Sequence, residues 1–205
     1  MLATIITEEQ WQKLKSILLD LNVYDKPSLK KTFLGIIYRL KTGCQWRYLP
    51  SCYGNANTVF KAFRRWSATG LFYKLFKRLI QSADTEWVSI DATHIRAHQS
   101  SAGAVGGGDQ SIAKSIGGNS SKIHLAVDAH GNPLEFLVGD GITHDIKIAP
   151  MLLQLLDLKD TEFLNADKGY DSEEFRNFAN SKGVRANIPR KKNARTSNSH
   201  MDWLI

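Results

Sequence analysis

No single type of layer accommodates both halves of this chain, because its hydrophobic period changes near residue 86. Upstream, apolar side chains recur at three- and four-residue intervals; from Trp87 they come in short β-branched runs closed by Asp, Asn or Gly. The expected organisation is a helical domain over residues 1–84 and a mixed strand-and-helix domain over 86–205, within the size range of one large or two small domains. Charge divides at the same place. Residues 1–85 hold nine Lys and five Arg against five acids, a net of +9, whereas residues 86–205 hold thirteen basic and fifteen acidic groups, a net of −2. The first half is thus a candidate polyanion binder, and the second, by bulk charge, is not.

The basic half punctuates itself into helices. Thr7 with Gln10 makes a capping-box pattern, after which Trp11, Leu14, Leu18 and Leu21 recur at helical spacing. Pro27 and Ser28 introduce a second helix with Phe33, Ile36, Ile37 and Leu40 on its apolar face, closed by Gly43. Trp46 to Gly54 reads as a loop. Asn57 caps a third helix through Trp66, with Val59, Phe60, Phe63 and Trp66 inward; a fourth runs from Leu71 to Ile80 after Gly70. Lys61, Arg64 and Arg65 then share the outer face of the third helix. Short helices with a basic third member form a helix-turn-helix-like pattern, in which one helix enters the major groove of double-stranded DNA while Lys and Arg engage phosphates. A solvated basic face on a bundle would produce the same spacing. The aromatic residues are most simply core, with base stacking open to Trp46 or Tyr48 if either is exposed.

Several classes are excluded. No run approaches the roughly 18 apolar residues of a membrane span, and Glu8 and Glu9 interrupt any signal-peptide pattern. Two cysteines, Cys44 and Cys52, cannot form a staple framework and read as reduced thiols of a cytoplasmic protein.

The second half begins with Trp87 to Ile90, a buried-strand pattern ending in Asp91, continued beyond an irregularity by Ile95 to His98. A Gly/Ser-rich stretch over 99–121 reads as a flexible insertion; it lacks the G-x-x-x-x-G-K-[ST] order of a phosphate-binding loop. Lys122 to Val127 and Pro133 to Val138 flank a turn and form a hairpin. A helix over Asp145 to Leu158, with Ile148, Met151, Leu152, Leu155 and Leu156 apolar, leads to a strand, Phe163 to Ala166, ending in Asp167. A helix over 172–181 and a strand over 184–188 complete the order. A three-strand meander followed by alternating helices and strands is the order of a ribonuclease H-like sheet.

In such a sheet the first and fourth strands lie side by side, which brings Asp91 and Asp167 together. Two close carboxylates need a cation, and hard oxygen donors favour Mg²⁺ or Mn²⁺. A pair of such ions held by carboxylates serves phosphodiester cleavage, with Asp91 bridging and Asp167 holding one ion. The plain alternative is that an Asp after a strand forms a turn or caps a helix, which is the preferred explanation for Asp128, Asp140 and Asp145.

The run Gly43-Cys44-Gln45-Trp46-Arg47-Tyr48-Leu49-Pro50, with Tyr53-Gly54, Thr58-Val59, Arg65-Trp66 and Gly70-Leu71, resembles the N-terminal domain of the insertion-sequence-five family of bacterial transposases. Ile90-Asp91-Ala92-Thr93, Lys122-Ile123-His124 and Ala166-Asp167-Lys168-Gly169-Tyr170-Asp171 resemble its catalytic domain. The resemblance implies a DDE transposase that binds terminal inverted repeats and target DNA and cuts and rejoins strands with Mg²⁺. Asp91 and Asp167 would be its first two catalytic acids, and Lys122 and His124 would lie on the DNA-facing side of the sheet. The basic tract Arg190, Lys191 and Lys192 is a further candidate DNA contact.

The family's third acid, a Glu on a helix after the last strand, has no counterpart before the sequence stops at Met201 to Ile205. The expectation is a sheet domain lacking its last helix and a chain inactive by itself, whether from a truncated gene copy or from a first reading frame completed by a second. Homo-oligomerisation stays open. A non-catalytic DNA-binding repressor and a ribonuclease H-like nuclease with another substrate are the alternatives.

Overall fold

The computed structural model describes residues 6–80, 83–98, 111–192, 194, 197, 201 and 202. The chain divides into two units, Met1–Gln81 and Ser82–Ile205, each with its own core.

In the first unit the expected capping box is formed: the Thr7 hydroxyl accepts from the Gln10 amide at 3.2 Å and the Gln10 side chain accepts from the Thr7 amide at 2.8 Å. Helix α1 (Glu8–Asp20) buries Trp11, Leu14 and Leu18. Helix α2 (Leu29–Thr42) buries Phe33 and Ile36, but Leu40 points to solvent, because the stripe that faces the core has turned away by the last turn. Helix α3 (Ala56–Ala68) is capped by Asn55, two residues earlier than the sequence suggests; its side chain accepts from the amides of Asn57 and Thr58. Gly70, at φ +66, turns the chain into α4 (Leu71–Leu79). The ring of Phe33 lies between those of Trp11 and Trp66 and ties three helices together, with centroids 6.2 and 6.4 Å away. The loop between α2 and α3 is ordered as two 3₁₀ turns, Trp46–Tyr48 and Ser51–Tyr53. A methyl group added at Gly35 would stand 3.0 Å from the Tyr53 Cβ, so α2 and the second turn pack backbone to side chain.

The second unit contains β1 (Trp87–Arg96), β2 (Ala113–Ser115), β3 (Gly118–Val127), β4 (Pro133–Asp140), α5 (Asp145–Gln154), β5 (Phe163–Ala166), α6 (Glu173–Ser181) and β6 (Arg185–Asn187). The sheet runs β3-β1-β5-β6, with β4 and the short β2 also pairing β3. Pairs β1–β3, β2–β3 and β3–β4 are antiparallel; β1–β5 and β5–β6 are parallel. This is a ribonuclease H-like mixed sheet, as expected.

Three boundaries differ from the sequence reading. Strand β1 is continuous through Ile95, held by pairing of Asp91 to Arg96 with β3. The supposed insertion is partly sheet: β2 and the start of β3 pair across the tight turn at Ser115 to Gly118, and residues 99–110 lie outside the described residues. Helix α5 stops at Gln154, and Met151 and Leu155 are exposed, since Ala149, Leu152 and Leu153 alone face the sheet. Alternation then defines two faces. Val88, Ile90, Ala126 and Leu164 pack under α5 and α6 with Phe175 and Ala179. Ser89, Asp91, Leu125 and Asn165 alternate to the other face, where Phe136 and Val138 are exposed.

Candidate functional site

The last register pair of β1 with β5 is Ile90 and Ala166. Asp91 and Asp167 are the next residues on two adjacent parallel strands, whose backbones run about 4.8 Å apart. Both side chains are exposed. Each commits one oxygen to the backbone: Asp91 Oδ1 accepts from the Ala92 amide at 2.7 Å, and Asp167 Oδ1 accepts from the Gly169 amide at 2.7 Å. Asp167 therefore does cap the 3₁₀ turn Lys168–Tyr170, as the plainer sequence reading has it, while its second oxygen is left outward.

Tyr170, buried beneath this pair, feels both. Burial, and then the negative charges of Asp145, Asp91 and Asp167, hold its phenol well above the ordinary value of 10.0. The phenol therefore stays protonated at neutral pH. Asp145 reaches the site from the first turn of α5, and the ammonium of Lys122 donates to its Oδ1 at 2.8 Å and to the Thr143 carbonyl at 2.9 Å.

Lys122 and His124 correct the sequence reading. Both project from β3 into the layer beneath α5, at 7% and 1% exposure, and so do not face DNA. A buried ammonium needs a counter-charge, and Asp145 supplies it. His124 stands beside this ion pair, its Nδ1 3.9 Å from Asp145 Oδ1, and neither ring nitrogen has a hydrogen-bond partner among the described residues. Burial pushes its pKa below the ordinary 6.5, against the pull of Asp145, so the ring is neutral at pH 7.

The loop after β5 is fixed by a second buried network. The Arg176 guanidinium donates to Asp171 Oδ1 at 2.9 and 3.2 Å and to the carbonyl of Ile188 at 2.6 Å. Although burial works against it, the Lys191 amide, Arg176 and Arg190 hold the Asp171 carboxyl below its usual range. Arg190 thus lies between Asp171 and Glu173, and Lys191 donates through both its amide and its ammonium to Asp171. Arg190 is thus paired internally, whereas Lys191 stays exposed and spends only its backbone amide and one long ammonium bond on Asp171. Lys192 is exposed.

In the first unit, Lys61, Arg64 and Arg65 are all exposed on α3, with Asn57 and Thr58 exposed on its first turn. No acidic residue occurs between Lys26 and Ala83. The acids of this unit lie on α1 and the following loop, where they pair with Lys15 and Lys30.

Residues 82–201 match the family model described as "Transposase DDE domain". The chain belongs to the DDE transposase family. Residues 6–76 of this family member also match the model described as "Putative transposase of IS4/5 family". Uncharacterized protein y4sN of Sinorhizobium fredii (strain NBRC 101917 / NGR234) is 36% identical over 69 residues, 34% of this chain and 55% of that protein. The chain thus matches about half the length of that curated relative. Among solved structures, the piggyBac transposase synaptic complex with hairpin DNA superposes with a TM-score of 0.50 at 11% identity, covering 92% of this chain and 50% of that one. That likeness shows the fold alone. The Mos1 transposase paired-end complex with left transposon end reaches a TM-score of 0.34 at 14% identity, covering 89% and 68% of the two chains.

The sequence of this DDE-family chain did not single out Tyr170 as a core residue or Asp145 as the counter-charge of Lys122. Tyr170 stood inside a quoted motif with no polar partner in sequence, and Asp145 read as a cap. The charges of Asp91, Asp145 and Asp167 bear on Tyr170 from three different stretches of chain, which no local pattern encodes.

Proposed function

We propose that the helical unit binds double-stranded DNA and that Asp91 and Asp167 hold a divalent cation, Mg²⁺ or Mn²⁺, for DNA strand cleavage and transfer at terminal inverted repeats. The observation that carries this reading is the placement of the two aspartates at consecutive positions beyond the Ile90–Ala166 pair of parallel strands. The donor set fits a hard cation: two carboxylates each retain an oxygen not engaged by a protein donor among the described residues, and Mg²⁺ commonly completes its shell with water and substrate phosphate. Bound there, the cation supplies Lewis acidity at the scissile phosphodiester. Asp91 and Asp167 orient it, the Asp167 carboxylate being steadied by the Gly169 amide. Tyr170 and the Lys122–Asp145 pair support that corner of the sheet from below. Lys61, Arg64 and Arg65 provide phosphate contacts, and Lys192 a further one.

One observation favours a second reading, a DNA binder that does not cleave. Among the described residues, no group of three or more His, Cys, Asp or Glu side chains is close enough to hold a metal ion. The experiment that separates the two is Mg²⁺-dependent nicking of a duplex carrying the element's terminal repeat, run beside calorimetric titration of Mg²⁺ and Mn²⁺. Metal binding lost in Asp91→Asn and Asp167→Asn, with nicking in the parent, supports the enzyme. Salt-sensitive binding without nicking supports the binder, and metal titrations unchanged in both variants overturn the assignment of the site.

A further inference from the structure

The geometry points to Tyr48 as a base-stacking residue: it is exposed within the stretch 26–83, which has no acidic residue, and takes one unstacked DNA base on its ring. The inference rests on the DNA-binding reading of that unit and deepens it.

Of the two aromatic residues in the first 3₁₀ turn, the fold uses one as an anchor and leaves the other out. Trp46 packs its ring against Phe60 and Phe63 of α3, with centroids 5.4 and 5.2 Å away. Leu49, on the other side of Tyr48, is buried and reaches toward Gly35 of α2. Tyr48 between them keeps 64% of its surface exposed. A turn pinned on both sides fixes the backbone from which Tyr48 projects, so less freedom is lost when its ring is engaged.

The surroundings are those of a nucleic-acid surface. The Arg47 guanidinium lies over the Tyr48 ring at 4.8 Å, Arg39 over Trp46 at 5.5 Å and Arg64 over Phe60 at 6.0 Å. Three cations are thus carried on the aromatic cluster that links the turn to α3, and no ion pair among the described residues engages any of them. An arginine stacked on an aromatic ring, beside a helix bearing Lys61 and Arg65, gives a charge for the phosphate and a π-face for the base within one turn of chain. Tyr24 supplies the contrast. It is more exposed, at 83%, but it adjoins Asp25, whose negative charge disfavours DNA.

The test uses the full chain and two fluorescent duplexes of the same length, one fully paired and one carrying a single unpaired 2-aminopurine. Wild type and Tyr48→Phe are expected to bind the second duplex more tightly and to quench its fluorescence. Tyr48→Ala should lose roughly 5- to 150-fold in affinity for it, with the quenching abolished. Because no charge is removed, the slope of log affinity against log salt should stay unchanged in Tyr48→Ala, whereas Arg47→Ala should lower it by about 0.9. Tyr24→Ala should behave as wild type. If wild type binds and Lys61→Ala with Arg65→Ala lowers the salt slope, but Tyr48→Ala matches wild type in affinity and quenching, the stacking role is wrong while the DNA-binding reading stands. If wild type shows no salt-sensitive binding to either duplex, the DNA-binding reading falls and this inference with it.

Discussion

Replacing Arg176 by Ala removes a buried side chain that joins α6, the loop after β5 and the end of β6. Its guanidinium satisfies Asp171 twice, at 2.9 and 3.2 Å, and the carbonyls of Ile188 and Ala186 at 2.6 and 3.4 Å. Both partners of the ion pair are nearly sealed, with side-chain exposures of 6% and 7%. Removing one member of a buried pair costs about 3–5 kcal/mol, because the other charge is left without compensation. Here Asp171 would keep the Lys191 amide at 2.8 Å and Arg190 at 3.5 Å, which places the expected loss near the lower end, about 3 kcal/mol. For a unit spanning Ser82–Ile205 this amounts to a fall of roughly 10 °C in its melting temperature. Urea unfolding followed by far-UV circular dichroism, with hydrogen exchange at the β5 and β6 amides, isolates the effect to the second unit. Arg176→Lys should recover only part of it, since an ammonium cannot fork between a carboxylate and a carbonyl. The pH dependence has a definite sign. The Asp171 carboxyl is held below its ordinary 3.8, so its contribution is present above that value and lost as pH falls through the lowered one; the variant should show a shallower acid limb. A loss under about 1 kcal/mol, or an Asp171→Asn/Arg176→Ala double variant whose effects simply add, would refute the network as a structural element.

Gly169→Ala places a methyl group 2.7 Å from Asp167 Oδ1 and must turn that carboxylate; Mg²⁺ affinity by calorimetry is expected to fall about tenfold or more with the melting temperature nearly unchanged. In Gly141→Ala the new Cβ would stand 1.9 Å from the Ser120 hydroxyl and 2.8 Å from its carbonyl oxygen, so a loss of about 1–3 kcal/mol in urea unfolding is expected, only partly rescued by Ser120→Ala. His124 has its pKa lowered by burial, so the stability it lends is full above the ordinary 6.5 and is lost as pH falls through the lowered value. His124→Leu should flatten the stability profile in that window, and an unchanged profile would mean the ring is not neutral in the fold.

Much of the fold was legible in the chain itself. Capping by Thr7, the inward spacing of Trp11, Leu14 and Leu18, and the strand grammar of Trp87 to Ile90 and Phe163 to Ala166 are local signals, and local sterics and hydrogen bonding enforce them. The adjacency of β1 and β5, whose last register pair is Ile90 and Ala166, follows from the strand order read in the sequence. Lys122 and His124 were misplaced, because a β-strand offers two faces and the alternation of Lys122, His124 and Ala126 does not reveal which one α5 will cover. Arg190 reads as part of a solvated basic tract, and only the approach of Asp171, some twenty residues away in sequence, pairs it internally.

Sequence alone determined the change of hydrophobic period near residue 86, the sign of charge on each side and most of the helices and strands, since each depends on residues a few positions apart. Tertiary structure decided which polar groups are free to act. Packing buried Lys122 against Asp145, locked Asp171 to Arg176, sank Tyr170 into the core and left Tyr48 outside the cluster that swallowed Trp46. The reason is physical: desolvation and ion pairing depend on what crosses over a side chain in space, and that is settled only when distant elements pack together.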